Sequence, residues 1–517
     1  MNTLDLLLQG FAQALSLQNL LYAALGCFLG TLIGALPGLG PANGVAILIP
    51  LAISLGLGPT TSLILLTAVY AGAMYGGRIS SILLNIPGDE PALMTTLDGY
   101  PMARQGKAAE ALALSAIASF VGALLATFGL ILLAPLLAKA ALKFGPPEYV
   151  ALYVLAFAAL GGVTSKSPAK TLIATALGLM LATVGLDHTS GIDRFTFDIL
   201  ELSEGINFIV ALVGLFAISE LLLFIEAQSK AQHEMIKVNK LSLSFKDIRH
   251  ILPTSLRGSV LGFIAGVLPG AGASLGSFIS YTLEKRILGD KARFGEGDPR
   301  GVAAPEAGNN AAANGALVPM LTLGVPGSGT TAVLLALLVS LNVTPGPMLF
   351  QQNAELVWTV IAALLIGNII LLVMNIPMIS IFVKILSVPP RYLMPIVTLV
   401  AILGIYAISH SVVDIYLMIA FGVVGYFLRK VEVPLVPIIL GMLLGRELEI
   451  ALRHSLALSD NGSWLILWHS PLAIGLWSVA ILGLVLPMII GPILRAKMRK
   501  ATAEPQTLDP IIDNTGD

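Results

Sequence analysis

The chain has 517 residues, of which 56% are hydrophobic and only 11% charged, with a formal net charge of −1 and a mean hydropathy of +0.89. A soluble domain carries about 25% charged residues, so a soluble globular class is excluded, and the near-neutral balance leaves no basic footprint for nucleic acid. One cysteine, Cys27, forms no intrachain disulfide, and no HExxH, GxSxG or P-loop pattern is present, so the chain reads as no enzyme and as not ATP-driven by itself.

Along the chain, "MNTLDLLLQG" lacks the basic start of a secretory signal, so the first apolar run is expected to remain a membrane segment. Leu6–Gly77 then holds no Asp, Glu, Lys or Arg over 72 positions, and Ala307–Ala354 holds none over 48. Shorter charge-free runs are Ala111–Ala138, Gly258–Leu283, Leu356–Val383, Tyr392–Val413 and Asn461–Leu494. At about 20 residues per crossing this predicts an all-α polytopic membrane protein of roughly ten to twelve spans. The divisions read from the sequence are a first membrane half (1–226), a basic linker (227–250), a second core (251–355), further helices (356–495) and a polar, acidic tail (496–517) expected to be disordered.

A helix-breaking motif occurs twice. "GALPGLGPANG" (Gly34–Gly44) matches "GVLPGAGASLG" (Gly266–Gly276) at an offset of 232, retaining Leu36, Pro37, Gly38 and Gly40 as Leu268, Pro269, Gly270 and Gly272. Downstream, "LLNIPGDE" (Leu83–Glu90) matches "TLGVPGSG" (Thr322–Gly329) at an offset of 239, with Pro87-Gly88 on Pro326-Gly327. The alternative, that Gly and Pro merely abound, does not account for two motifs in the same order.

The basic residues swap sides between the copies. Residues 1–18 have no Lys or Arg, whereas Lys230, Lys237, Lys240, Lys246 and Arg249 precede the second copy. The loop near 56–61 is uncharged, but its counterpart carries Lys285, Arg286, Lys291, Arg293 and Arg300; Arg104 and Lys107 follow the first Pro-Gly motif and none follows the second. Because cytoplasmic loops are rich in Lys and Arg, the pattern predicts two inverted-topology repeats with broken helices and re-entrant loops around a midplane site. The acidic segment 187–204 and the N-terminus are expected to be periplasmic, and the basic end "RAKMRK" (Arg495–Lys500) cytoplasmic.

A broken helix offers backbone N–H groups to anions at one end and carbonyls to cations at the other. Candidate solute-binding positions are therefore Gly38, Gly40, Asn43, Gly270, Gly272 and Ser274, with Pro326, Gly327, Ser328, Gly329, Thr330 and Thr331 at the second loop. Candidate positions for ion coupling are Asn85, Pro87, Gly88, Asp89 and Asn314. The competing reading of these glycines is close helix packing. Asp89 and Glu90 carry protons or Na⁺, or sit in water at the loop mouth; both readings stand. Arg78 reads as a snorkelling anchor or as a partner for a solute carboxylate, Glu220 as interfacial, His410/Asp414 as an i,i+4 hydrogen-bonded pair on a helix surface or a proton relay, and Glu449/Arg453 as an ordinary i,i+4 helix pair.

The stretches "GALPGLGP", "LLNIPGDEPALMTTLDGYPMARQGKAAEAL", "GVLPGAGASLGSFISY", "NNAAANGALVPMLTLGVPGSGTTAVLL" and "GYFLRKVEVPLVPIILGMLLGRELEIALRHSL" resemble the large membrane subunit of tripartite tricarboxylate transporters, from about residue 15 to about 495. The resemblance implies a bacterial inner-membrane secondary transporter importing citrate-like di- or tricarboxylates on a Na⁺ or H⁺ gradient, without a cofactor. It also implies two partners, a small four-helix membrane subunit and a periplasmic solute-binding protein. Asp89-Glu90-Pro91 departs from the family pattern, in which small or hydroxylated residues follow "NIPG". The other class to weigh is a channel or scaffold subunit without its own transport cycle; the paired helix breaks favour a carrier over the continuous polar stripe of a channel.

Overall fold

The computed structural model describes residues 3–36, 39–163, 167–187, 190–227, 238, 241, 243–270, 272–386 and 390–482. Helices α1 (Thr3–Ala14), α2 (Leu17–Ala35), α3 (Gly40–Ser54), α4 (Pro59–Leu84), α5 (Leu93–Met102), α6 (Ala108–Ala141), α7 (Pro146–Val163) and α8 (Pro168–Ala182) come first. A two-residue antiparallel ladder, Gly185–Leu186 on Asp193–Arg194, separates them from α9 (Phe208–Val213), which runs through a π-helical turn into α10 (Ser219–Ala227). The second half holds α11 (Phe245–Val267), α12 (Gly272–Leu288), α13 (Pro299–Gly315), α14 (Leu317–Leu323), α15 (Gly329–Ser340), α16 (Leu349–Gln352) and α17 (Ala354–Asn375). Then follow α18 (Ile379–Leu386), α19 (Pro390–Ser409), α20 (Val412–Lys430), α21 (Val436–Leu458) and α22 (Pro471–Leu482).

This is an all-α polytopic membrane protein. Among the described residues, six helical stretches are long and apolar enough to cross a bilayer: 17–35, 59–84, 93–141, 208–226, 354–375 and 412–430. Further helices of comparable length, α11 and α21 with 23 residues each, carry more charge. The 15 residues of α3 reach only about 22 Å at 1.5 Å per residue, against a hydrocarbon core of about 30 Å; α8, α15 and α22 are likewise short and apolar.

Local chemistry sets several boundaries. Pro59, Pro168 and Pro299 open α4, α8 and α13, where a missing N–H does no harm. Ser244 and Asp247 form a reciprocal capping box that starts α11 at Phe245, so the basic stretch expected as linker to residue 250 is partly helix. The remainder of that linker, apart from residues 238, 241 and 243–244, and the tail at 496–517 lie outside the described residues. His410 sits in a left-handed turn (φ 51°) between α19 and α20, so it and Asp414 are not an i,i+4 pair of one helix; its ring instead meets Tyr406 edge-on. Glu449 and Arg453 do pair, at 2.6 Å.

The two halves repeat the same element order: α2 and α11, the break, α3 and α12, then α4 and α13–α14, a Pro-Gly loop, α5 and α15, and finally α6 and α17. The match extends to contacts. A Cβ on Gly26, Gly30 or Gly34 of α2 would lie 2.4, 2.2 or 2.0 Å from the carbonyl oxygens of Leu65, Val69 and Ala73 on α4. At the matching positions, a Cβ on Gly258, Gly262 or Gly266 of α11 would lie 2.7, 2.1 or 2.2 Å from those of Ala304, Gly308 and Ala312 on α13. Both helix pairs therefore pack backbone to backbone along a stripe of small residues.

The halves also exchange their long helices. α6 packs on α11 and α13 of the second half, α17 packs on α2 and α4 of the first, and α6 and α17 meet each other. Tyr75 of α4 donates to Asn368 of α17 at 2.9 Å, and Asn314, its counterpart on α13, donates to Thr127 of α6 at 3.0 Å. The site is built around these matched elements.

Candidate functional site

Each breaker motif imposes the same backbone path. α2 ends at Leu36 (φ −81°, ψ 116°) and α11 at Leu268 (φ −75°, ψ 120°), both extended, so the preceding helix can run no further. The next helices begin at Gly40 and Gly272 with φ of +63° and +64°, a left-handed geometry that disfavours any residue with a Cβ. Pro37, Gly38 and Ala271 lie outside the described residues. Unlike the packed stripe, these two glycines face open space: a Cβ on Gly40 would meet no atom within 4 Å, and one on Gly272 only the Ser328 Cβ at 3.9 Å. Gly34 and Gly266 are packed against a neighbouring backbone, and Gly40 and Gly272 are not packed in this way against any described residue.

The Pro-Gly loops match as closely. Asn85 and Gly324 end α4 and α14 in the left-handed conformation, with φ of 57° and 69°. Gly88 then presses against Gly77, where a Cβ would lie 2.6 Å from the Gly77 Cα, and Gly327 against Ala316, where it would lie 2.8 Å from the Ala316 Cα. Gly88 also abuts the Gly34 carbonyl (2.3 Å from its Cβ position), which seats the first loop beside the first broken helix.

The first loop is tied to the second half as well. Ser274 of α12 donates to Glu90 at 3.3 Å, and Ser277 donates to the Pro91 carbonyl at 2.7 Å. Asp89 accepts the Ala92 N–H at 3.0 Å through Oδ1, whereas its Oδ2 is buried with no hydrogen-bond partner among the described residues. On the second loop Ser328 and Thr331 cap α15 reciprocally, at 2.8 and 3.2 Å, and α15 packs on α4, the helix of Tyr70. α12 touches both loops, through Gly272 beside Ser328 and Ser274 on Glu90, so the two loop tips share one region.

Gly272, Ser274, Gly88, Asp89 and Ser328 thus converge, beside Gly270 (φ +77°) and Thr330, which is buried. Other expected positions do not. Asn43 is engaged by Glu220 at 3.5 Å and by Arg429 at 3.3 Å, and Glu220 and Arg429 form a short ion pair. Asn314 is held by α6, Thr331 is committed to its cap, and Asn85 is an exposed cap. Pro87, Pro326 and Gly329 shape the loops, and Gly329 lies against the Val436 side chain.

Several residues escaped the sequence reading. Tyr70 and Asn309 stand 239 positions apart, at matching places on α4 and α13, but a tyrosine and an asparagine do not look like a repeat. Glu306 is fully buried and accepts from Thr95 at 2.6 Å and Ser119 at 3.0 Å. Arg78, 2% exposed, does not snorkel; it donates to Asn375 at 3.2 Å and stacks over Tyr75 at 4.8 Å. A separate cavity of about 230 Å³ lies beyond this region, bordered by Asp187, Arg194, Arg446, Glu449 and Arg453. Its charges are largely spent on each other, through Arg194–Glu449 and Arg453–Asp187, both at 3.0 Å.

Matched halves with broken helices and facing loops, in a chain this apolar, define the membrane subunit of a transporter. The chain belongs to the tripartite tricarboxylate transporter TctA family, whose sequence profile matches residues 20–440. It is 39% identical over 495 residues to an uncharacterized 52.8 kDa protein in the TAR-I ttuC' 3' region of Agrobacterium vitis, covering 96% of this chain and 98% of that one. A second Agrobacterium vitis protein, from the TAR-II ttuC' 3' region, is 36% identical over 243 residues, 47% of this chain and 99% of its own length. No solved structure matches. Family membership makes the chain a multi-pass membrane subunit of tricarboxylate transport, from a family of transporters rather than enzymes whose systems have partner subunits.

Proposed function

We propose that the chain is the translocation subunit of a secondary transporter in a bacterial inner membrane, importing citrate-like di- or tricarboxylates on a Na⁺ or H⁺ gradient. A periplasmic solute-binding protein delivers the solute, and a small four-helix membrane subunit completes the translocator. The N-terminus faces the periplasm and the C-terminus the cytoplasm, as the charge bias of an inverted repeat requires.

One observation carries this reading: Gly272, Ser274, Ser328 and Asp89, from both halves, converge where backbone can be approached and a carboxylate oxygen lacks a partner. The first N–H groups of α12, with Ser274 and Ser328, receive a solute carboxylate without fixed positive charge. Asp89 Oδ2 and the loop carbonyls take the cation, which offsets the negative charge of the solute.

The test is reconstitution in proteoliposomes with both partners and radiolabelled citrate. Uptake is expected only with all three components and an inward Na⁺ or H⁺ gradient. Full-rate saturable uptake by the chain alone, or uptake indifferent to both gradients, contradicts the reading.

A further inference from the structure

Asn309 is the most anomalous polar side chain near the loops. It is 1% exposed, yet neither its Oδ1 nor its Nδ2 makes a hydrogen bond among the described residues. Its neighbours on α13 are satisfied: Asn310 donates to the Glu306 carbonyl at 3.0 Å, and Asn314 to the Ala123 carbonyl and Thr127. Buried amides are almost always paired, so one left wholly unpaired is destabilising and asks for a partner.

The contacts on either side of Asn309 show what its face of α13 packs against. Glu306, Asn309 and Ala313 are spaced i, i+3 and i+7, which puts them on one face of α13. Glu306 takes the Thr95 hydroxyl, at the start of α5, and the Ala313 carbonyl takes the Tyr70 hydroxyl of α4 at 3.3 Å. Asn309 lies on the face of α13 between these anchors, a helix that packs on α4 and α5, and Asp89 Oδ2, in the loop joining those two helices, likewise has no partner among the described residues. Tyr70 belongs to α4, on which α15, the helix capped by Ser328, also packs. Tyr70 and Asn309 are counterparts at the 239 offset, as are Asp89 and Ser328, so the four residues form two matched pairs.

We infer that Asn309 and Tyr70 also receive a solute carboxylate, through the Asn309 Nδ2 and through the Tyr70 hydroxyl, which turns its one proton from the Ala313 carbonyl to the solute. The inference rests on the transport reading above and adds to it the contact residues and a reason for coupling. Both groups are neutral donors, so they bind a carboxylate without holding it too tightly to release. A carboxylate placed there stands close to Asp89, and like charges repel unless Asp89 carries a proton or a sodium ion. Solute binding and cation binding are therefore linked through this one contact.

The experiment uses the reconstituted three-component system with citrate, and thermal unfolding of the purified membrane subunit with and without citrate. Asn309→Leu, close in volume, should raise the half-saturation concentration at least tenfold and abolish the citrate-induced rise in melting temperature. The ligand-free melting temperature should stay level or rise, because an unpaired buried amide has been removed. Tyr70→Phe should raise half-saturation several-fold with normal membrane abundance. Wild-type half-saturation in both variants overturns the inference while leaving the transport reading intact. No uptake of any carboxylate by the wild-type system overturns the transport reading and this inference with it.

Discussion

Gly30 of α2 lies so close to Val69 of α4 that a Cβ on Gly30 would stand 2.2 Å from the Val69 carbonyl oxygen. Gly262 repeats the relationship against Gly308, at 2.1 Å. Neither backbone can yield without separating the helices that carry the breaks. Gly30→Ala and Gly262→Ala should each destabilise the protein by about 1–3 kcal/mol, the usual penalty of overpacking. Thermal unfolding and immunoblotting of membranes should show lower melting temperatures and lower abundance for both.

Gly40 and Gly272 should behave in the opposite way. A side chain there meets almost nothing, so the penalty is confined to positive φ, about 1–2 kcal/mol. Gly272→Val and Gly40→Val should keep membrane abundance near the wild-type level and lose citrate uptake. Reduced abundance together with a normal rate per molecule would assign both glycines to packing.

Asp98 ties the first half to the loop before α13. Its Oδ1 accepts the N–H groups of Gly295, Gly297 and Asp298 at 2.8, 3.0 and 2.9 Å, and its Oδ2 accepts the Tyr281 hydroxyl at 2.9 Å. Asp98→Ala would orphan several donors at once, each worth about 1–3 kcal/mol when buried. The melting temperature should fall much further for Asp98→Ala than for Tyr281→Phe, which removes a single bond. Equal, small shifts would mean that water replaces the carboxylate readily.

Topology is checked by cysteine labelling in a Cys27→Ala background, in which the native buried thiol is removed. Glu204→Cys and Ser244→Cys occupy exposed positions. An impermeant maleimide added to intact cells should label residue 204 and leave residue 244 unlabelled until the membrane is opened. Labelling of both from outside removes the basis for an inverted repeat.

The paired breaks were legible because Gly and Pro state backbone requirements directly: the left-handed starts at Gly40 and Gly272 and the left-handed cap at Gly324 follow from residues with few alternatives. Partners remote in the chain were not legible. Nothing near Asn43 announces that Arg429, 386 positions away, takes its carboxamide. Tyr70 and Asn309 share a position but no chemistry that a sequence comparison would notice. Hydropathy located the membrane helices but not their ends, since it reports burial from water and does not distinguish a crossing helix from two short ones buried in protein.

The central claim is that the solute binds between the loops and the broken helices, and substrate protection tests it most directly. Ser274→Cys and Ser328→Cys, both at partly exposed positions, are introduced singly into the Cys27→Ala background. The rate of maleimide alkylation is then measured with and without citrate at a concentration that saturates uptake, with Glu204→Cys as the control remote from the site. The account predicts that citrate slows alkylation at residues 274 and 328 several-fold and leaves residue 204 unchanged; equal rates at all three positions, in a system that transports citrate, would place the binding site elsewhere.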